Sequence, residues 1–294
     1  MRKRKITFGY ALVVLFVCIF AVICLYPFLL VVSGSLTTNA AAIQHGFKLI
    51  PAEFTTAAYK ALFKDPSSIL SGYKITLFVT ITGTAASLFI NSMMAYVLSK
   101  RDLPGRKFIN IYVLITMLFN GGMVPWYIIC TRYLHLQNRV IALIIPMLVS
   151  AWNIFLIRNF FSSVSSALYE SAILDGAGEF TIYRKIYAPL SKPVMATVLL
   201  FTALAYWNDW WLGLMLIEKK ELQPLQMLLR SVVANIQFLQ TADSSPEIQA
   251  LMASIPGEGL KMALVIITTG PVILLYPFVQ KYFVQGIMVG AVKE

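Results

Sequence analysis

Tyr206-Trp207-Asn208-Asp209-Trp210-Trp211 sets an acid and an amide among aromatic rings inside an otherwise apolar stretch. A charge at hydrocarbon depth costs about 2.5–3.5 kcal/mol on insertion scales, so Asp209 needs a compensating role. Flat rings beside an amide and a carboxylate suit the alternating apolar and hydroxyl-bearing faces of a sugar. Trp207, Asn208, Asp209 and Trp211 are therefore candidates to line or border a solute path. The competing reading pairs Asp209 with a neighbouring helix and gives the Trp residues to packing. Two further amides extend the set: Asn120, in Asn120-Gly121-Gly122, and Asn91, which ends the polar stripe Thr76, Thr80, Thr84, Ser87, Asn91. That stripe lies on one helical face, where its hydroxyls serve either close helix packing or a pore lining.

The second informative stretch is Ser165–Leu190, SSALYESAILDGAGEFTIYRKIYAPL. Ser166 is predicted as an N-cap with Glu170 in the first turn, where negative charge suits the helix dipole. Ala167–Leu174 then forms about two turns, a length marginal in isolation. Asp175-Gly176-Ala177-Gly178 stops it, and a second turn-forming run, Phe180–Tyr187, leads into Pro189. A short helix exposing Leu168, Ala172 and Ile173 needs cover, either from a groove in another protein or from the lipid surface.

The elements that position these residues follow from composition. Of 294 residues, 59% are hydrophobic and only 13% are charged, against about a quarter charged in soluble domains. Runs long enough to cross a bilayer, about 20 residues of helix, fall at roughly 6–32, 75–98, 108–130, 140–157, 194–217 and 262–283. The fold class expected is all-α: one polytopic membrane domain over 1–294 with six transmembrane helices. Met1–Lys5 (MRKRK) imitates a signal-peptide start, but the apolar run after it exceeds the usual h-region of about 15 residues, so a retained span is expected. Asn120-Gly121-Gly122 and Pro125 should break the third span, and Pro271 and Pro277 should kink the sixth. The segments 33–74 and 218–261 read as long outer loops, the former with a short helix near 56–64.

The net charge of +11 is explained by orientation rather than by nucleic acid. Lys100, Arg101, Arg106, Lys107, Arg158, Arg184, Lys185 and Lys192 flank apolar runs on the side that carries the 165–190 loop, which places that loop and both termini in the cytoplasm. Cys18, Cys24 and Cys130 lie in or beside apolar runs and read as packing residues. His45 and His135 have no metal-ligand spacing, and neither G-x-x-x-x-G-K-[ST] nor G-x-S-x-G occurs, so no metal, no catalytic set and no P-loop nucleotide site is expected. An ion- or proton-coupled carrier is the rival transport class, but such carriers usually show inverted repeats and midplane ionisable residues. A non-transporting scaffold would leave Asp209 unexplained.

From Glu170 through Asp175, Gly176 and Ile186 to Pro189, the pattern E-S-A-x-x-D-G-A-x(8)-I-x-x-P resembles the "EAA" loop of ABC importer permeases. Ser171 stands where that pattern has an Ala, and Ala188 where a Leu commonly precedes the Pro. Pro51–Lys60, Asn91–Arg106, Phe119–Tyr127, Tyr206–Asp209, Pro224–Arg230 and Tyr276–Lys293 extend the likeness to the maltose-permease-like second subunit of oligosaccharide and polysaccharide importers, related to lipoprotein- and alginate-associated permeases. The resemblance implies a type I six-span permease in a bacterial cytoplasmic (inner) membrane. It also implies a second, non-identical permease, two ATP-binding cassette subunits and an extracytoplasmic solute-binding protein. ATP and Mg would be bound by those ATPase subunits, with no cofactor on this chain. Leu168, Glu170, Ala172, Asp175, Gly176, Ile186 and Pro189 would form the ATPase-coupling loop, 218–261 would meet the binding protein, and the C-terminal tail would approach the ATPases.

Overall fold

In hydrocarbon a backbone has no water to bond to, so apolar runs of this length close their hydrogen bonds internally as helix. A computed structural model describes residues 8–64, 66–241 and 257–291, with side chains through 238 and for 257–274. Among these residues every regular element is helical, apart from one isolated bridge between Thr37 and Phe54. Met1–Lys5, Pro246, Pro256 and Lys293 lie outside the described residues.

Three helices are long and apolar enough to span a membrane without a break: α1 (Phe8–Ser35), α2 (Ser67–Ser99) and the Gly257–Leu274 part of the last helix, Gly257–Ala291. The other three expected spans are not continuous rods. Arg106–Leu118 (α3) and Met123–Tyr133 meet at 109°, Val140–Met147 and Ala151–Phe161 (α4) at 51°, and Glu179–Leu190 meets Lys192–Asn208 at 86°. Each break has a local cause. Gly122 sits at φ +89 between the first pair, a region that favours glycine. Pro125 lies within the Met123–Ile128 helix, past the break. Ser150 caps α4 by accepting from the Asn153 N–H, and Ser191 separates the third pair. Pro271 and Pro277 do not interrupt the last helix.

Two boundaries expected from sequence are corrected. α2 begins at Ser67 rather than near 75, which makes it about 50 Å long at 1.5 Å per residue and carries it past a hydrocarbon core of about 30 Å. The segment read as a polar loop after residue 218 holds a helix, Leu225–Thr241. The segment before α2 has two short helices, Asn39–His45 and Ala57–Leu62, the first capped by the Thr38 hydroxyl.

The contacts sort into two units, 1–66 with 229–270 and 67–228 with 271–294. In the first, the outer surface of α1 is bare: none of its most apolar window is buried. Its C-terminal end is tightly packed, with Gly34 against the Met262 thioether and Ser35 bonded to the Tyr59 hydroxyl at 2.9 Å. In the second unit, α2 packs along α4 and along Lys192–Asn208. The polar stripe of α2 faces this packing. Thr76 accepts the Leu225 N–H at 2.9 Å, and Asn91, fully buried, bonds the Leu148 carbonyl and the Ser150 N–H across the break in the fourth span.

Gly83 is where this packing is closest. A Cβ there would lie 2.7 Å from the Tyr206 ring, and that ring is held by its own hydroxyl, which donates to the Ile144 carbonyl. Gly83→Val should cost about 1–3 kcal/mol through overpacking, lowering the temperature at which the detergent-solubilised protein loses monodispersity. Gly9→Val, where nothing lies within 4 Å, should leave it unchanged.

Candidate functional site

The 165–190 loop begins with a helix, α5, that spans Ser166–Leu174. Its N-cap is Ser165, whose side chain makes no capping bond, so the capping role expected of Ser166 is corrected. Glu170 is exposed and falls beyond the first turn. The stop behaves as its residues dictate. Gly176 sits at φ +77, its N–H reaches the Ile173 carbonyl, and the Ala177 N–H reaches Ala172, an arrangement only glycine adopts without strain.

α5 has two faces. Ala172 is buried in the main core of the second unit, which corrects its expected place on the outer surface: it fixes the helix to its own chain. Leu168 and Ile173 are each 45% exposed and Leu174 is 88% exposed, while Asp175 and Pro189 are also open to the surroundings and Ile186 is half-buried. The helix therefore presents an apolar outer surface and is anchored on its inner one.

What anchors it was not visible in the loop's own sequence. Glu179 accepts a hydrogen bond from the Tyr169 hydroxyl of α5 at 2.6 Å and another from the Tyr96 hydroxyl of α2. The Lys100 ammonium lies 3.6 Å from the same carboxylate and 3.2 Å from the centre of the Tyr169 ring, with the Tyr96 and Tyr187 rings at 4.3 and 4.9 Å. A cation enclosed by rings is attracted by their quadrupoles, by about 2 kcal/mol when desolvated. Between Tyr183 and Tyr187 the helix widens by one residue per turn, and this brings both tyrosines inward. Tyr183 bonds Ser92 of α2 at 2.7 Å, and its ring, with Phe161, closes the aromatic cluster around Tyr96. Burial would raise the Glu179 carboxyl, but the Tyr169 and Tyr96 hydrogen bonds and the Lys100 charge outweigh it and hold it below its ordinary value. Lys100 is pulled down, because burial outweighs the opposing Glu179 charge. Tyr169 is pushed from 10.0 to about 12, mainly by its bond to Glu179. The signal in the sequence was spacing: Tyr96 with Lys100, and Tyr183 with Tyr187, are each four apart and share a helical face.

The aromatic and amide candidates occupy a different part of the second unit, around a second core. Asp209 is not inside a helix. It sits at the break after Lys192–Asn208, and its carboxylate accepts the Leu212 N–H at 3.2 Å, so its charge serves the start of Trp211–Leu216. Trp207 is buried, and Asn208 is exposed with its amide on the Leu204 carbonyl. Trp211 lies against Trp126, ring centres 4.5 Å apart and planes tilted by 40°, which joins the segments following two separate breaks. Asn120 is exposed, but its carbonyl is taken up in a local turn by the Gly122 N–H. Of the two readings of its stripe, Asn91 follows packing and is removed from the path candidates: its buried amide bonds Ser87 within α2 and Leu148 and Ser150 beyond it. A groove of about 380 Å³ that sequence reasoning missed lies beside this region, lined by Ser150, Asn153, Phe201, Thr202 and Tyr206 among others. In it, the Asn153 amide donates to the Thr202 hydroxyl at 3.2 Å. Among the described residues no group of His, Cys, Asp and Glu could hold a metal ion.

Comparisons with known proteins agree over nearly the full length. A sequence model for the binding-protein-dependent transport system inner membrane component matches residues 6–289. The polygalacturonan/rhamnogalacturonan transport system permease protein YtcP of Bacillus subtilis is 38% identical, over 95% of this chain and 96% of that protein. Protein LplC of the same organism is 39% identical, over 92% and 90%. A chain in the crystal structure of a bacterial ABC transporter involved in the import of the acidic polysaccharide alginate superposes with a TM-score of 0.81 at 31% identity, covering 96% of this chain and 99% of that one.

The anchoring of α5 carries its own pH dependence. The Glu179 value is depressed in the folded state, so its contribution is complete above the ordinary carboxylate range and is lost as pH falls through the lowered value. Glu179→Gln should loosen α5 by about 1 kcal/mol, allowing for screening of a side chain that is 57% exposed. The protection factors of amides 166–174, taken against the intrinsic exchange rate at each pH, should therefore fall in acid for the unaltered protein and be low and independent of pH for the variant. Asp209 supplies a second check: Asp209→Ala should cost about 1 kcal/mol as a lost helix-start acceptor, while Asp209→Asn should retain most of the stability in the same thermal assay.

Proposed function

This chain belongs to the family of inner-membrane components of binding-protein-dependent transport systems, and from that premise we propose that it is one half of the translocation path of an oligo- or polysaccharide importer. As a permease subunit it is a transport protein and not an enzyme, and family membership sets aside the ion- or proton-coupled carrier. The sugar assignment is supported by relatives whose names specify polygalacturonan/rhamnogalacturonan, arabinooligosaccharides and alginate.

The partners follow from chemistry the chain lacks. With no P-loop in its sequence, it depends on separate ATPase subunits for ATP and Mg; a second, non-identical permease completes the path and an extracytoplasmic receptor delivers the solute. The single observation that carries the coupling assignment is the two-faced α5: Leu174 open and Ala172 buried two residues earlier. Leu168, Ile173 and Leu174 offer the apolar surface to an ATPase cleft, and Glu170 and Asp175 border it. Gly176 allows the turn, and Ile186 and Pro189 fix the return into the membrane. Closure of the ATPases moves α5, and through Glu179 and Lys100 the motion reaches α2 as a rigid body.

On this reading both termini and the 165–190 loop are cytoplasmic, supported by the basic residues Lys100, Arg106, Lys107 and Arg158 near that loop. The solute passes the groove holding Ser150, Asn153 and Thr202, with the Trp126–Trp211 pair, Asn208 and Asp209 bordering it. Amide and hydroxyl groups beside the Phe201 and Tyr206 rings match what a sugar requires.

Gly176→Val tests the coupling role. Its strained φ displaces α5 while the spans remain, so the variant should insert normally and co-purify with its partners, yet lose most uptake of labelled oligosaccharide in reconstituted vesicles. Uptake equal to that of the unaltered complex would remove the loop from the coupling step.

A further inference from the structure

A second groove, of about 560 Å³, lies where α3 meets α4 and shares no lining residue with the groove described above. Its chemistry is divided. Ile111, Leu114 and Phe155 make an apolar floor, with Ile111 and Leu114 still 45% and 42% exposed. At its end stand Arg106, Lys107 and Arg158. Among the described residues the ion pairs are Lys100–Glu179 and Lys261–Glu258, so these three cations have no acidic partner there. Lys107 is exposed, but the two arginines are held in place: Arg106 Nε donates to the Leu98 carbonyl at 3.1 Å, and Arg158 donates to the Asn110 side-chain Oδ1 and lies 4.8 Å from the Phe155 ring centre. Holding like charges together without a counter-ion is unfavourable, and an anion between them would relieve it.

The shape narrows the anion. A free phosphate would use the cations and leave the apolar floor bare, and a neutral sugar would leave the cations unmatched. A molecule with a phosphodiester head and a hydrocarbon tail satisfies both, and guanidinium groups present paired donors to phosphate oxygens. Helix α3 also begins at Arg106, so the positive end of its dipole lies beside the same cations. We propose that this groove binds one anionic phospholipid, with its phosphate on Arg106, Lys107 and Arg158 and the first part of an acyl chain on Ile111, Leu114 and Phe155. The site would make α3, the first half of a broken span, sensitive to the charge of the inner leaflet. The proposal needs only the membrane location of the family, not the nature of the solute.

The test uses the purified transporter complex in nanodiscs of phosphatidylcholine containing rising fractions of phosphatidylglycerol, with lipids retained per complex counted by native mass spectrometry. The unaltered protein should retain phosphatidylglycerol in preference to phosphatidylcholine. Arg106→Gln with Lys107→Gln should weaken that retention about thirtyfold, from the charge of two basic side chains near a membrane surface. Ile111→Trp fills the floor but keeps every cation, and should weaken it too, so the result does not rest on one variant folding. Equal retention of both lipids, or retention unmoved by both variants, would overturn the proposal. Retention that falls only with the charge substitutions and is abolished by inorganic phosphate would replace the lipid with a free anion. Cross-linking of Ile111→Cys to the second permease would show that the groove is a subunit interface and overturn it as well.

Discussion

Glu179 receives hydrogen bonds from Tyr169 in the short loop helix and from Tyr96 in the longest helix of the second unit, while Lys100 sits against the same carboxylate and over the Tyr169 ring. A helix of about two turns does not persist alone in water, so α5 exists because this contact and the burial of Ala172 hold it in place. Breaking the Tyr169 bond would release that phenol from Glu179, while the carboxylate would keep Tyr96 and Lys100 on the side of α2. The loop helix is thereby tied directly to α2, a helix of 33 residues, which is the connection the proposed coupling would use. Tyr183 adds a second tie to α2 through Ser92, placed there by the widened turn between Tyr183 and Tyr187.

These ties contrast with the breaks in the spans. Three of the six expected spans are bent at a junction, eased at Gly122 by its backbone freedom and at Ser150 by its cap, with Ser191 at the third, and Asp209 stabilises a further break after Lys192–Asn208 through its bond to the Leu212 N–H. Irregular backbone at membrane depth persists only where protein or a water-filled cavity covers it. The groove with Asn153 and Thr202 is lined by Met147, Val149 and Ser150, at one of these interruptions.

The sequence was readable where one rule dominated. Long apolar runs gave the helical membrane class, Asp175-Gly176 gave the end of α5, and Asn120-Gly121-Gly122 gave the break in the third span. It misled where tertiary context decided. Asp209 looked like an isolated charge in mid-span because residue counting cannot see a helix end inside an apolar run. Asn91 was left open between packing and path lining, because an amide facing a pore and an amide clamping a neighbouring break have the same local pattern. Ala172 looked exposed because α5 carries apolar residues on both faces. Glu179 went unnoticed because its partners, Tyr96 and Tyr169, are 83 and 10 residues away.

Site-directed cross-linking from α5 to the ATPase subunit tests this account most directly. With cysteine placed at position 174 and a partner cysteine in the ATPase cleft, the intact complex should cross-link rapidly, while cysteine at the buried position 172 should not. Absence of any cross-link from positions 168, 173 and 174 in every nucleotide state, or equal reaction from position 172, would contradict the idea that the open face of this helix is where the motor takes hold.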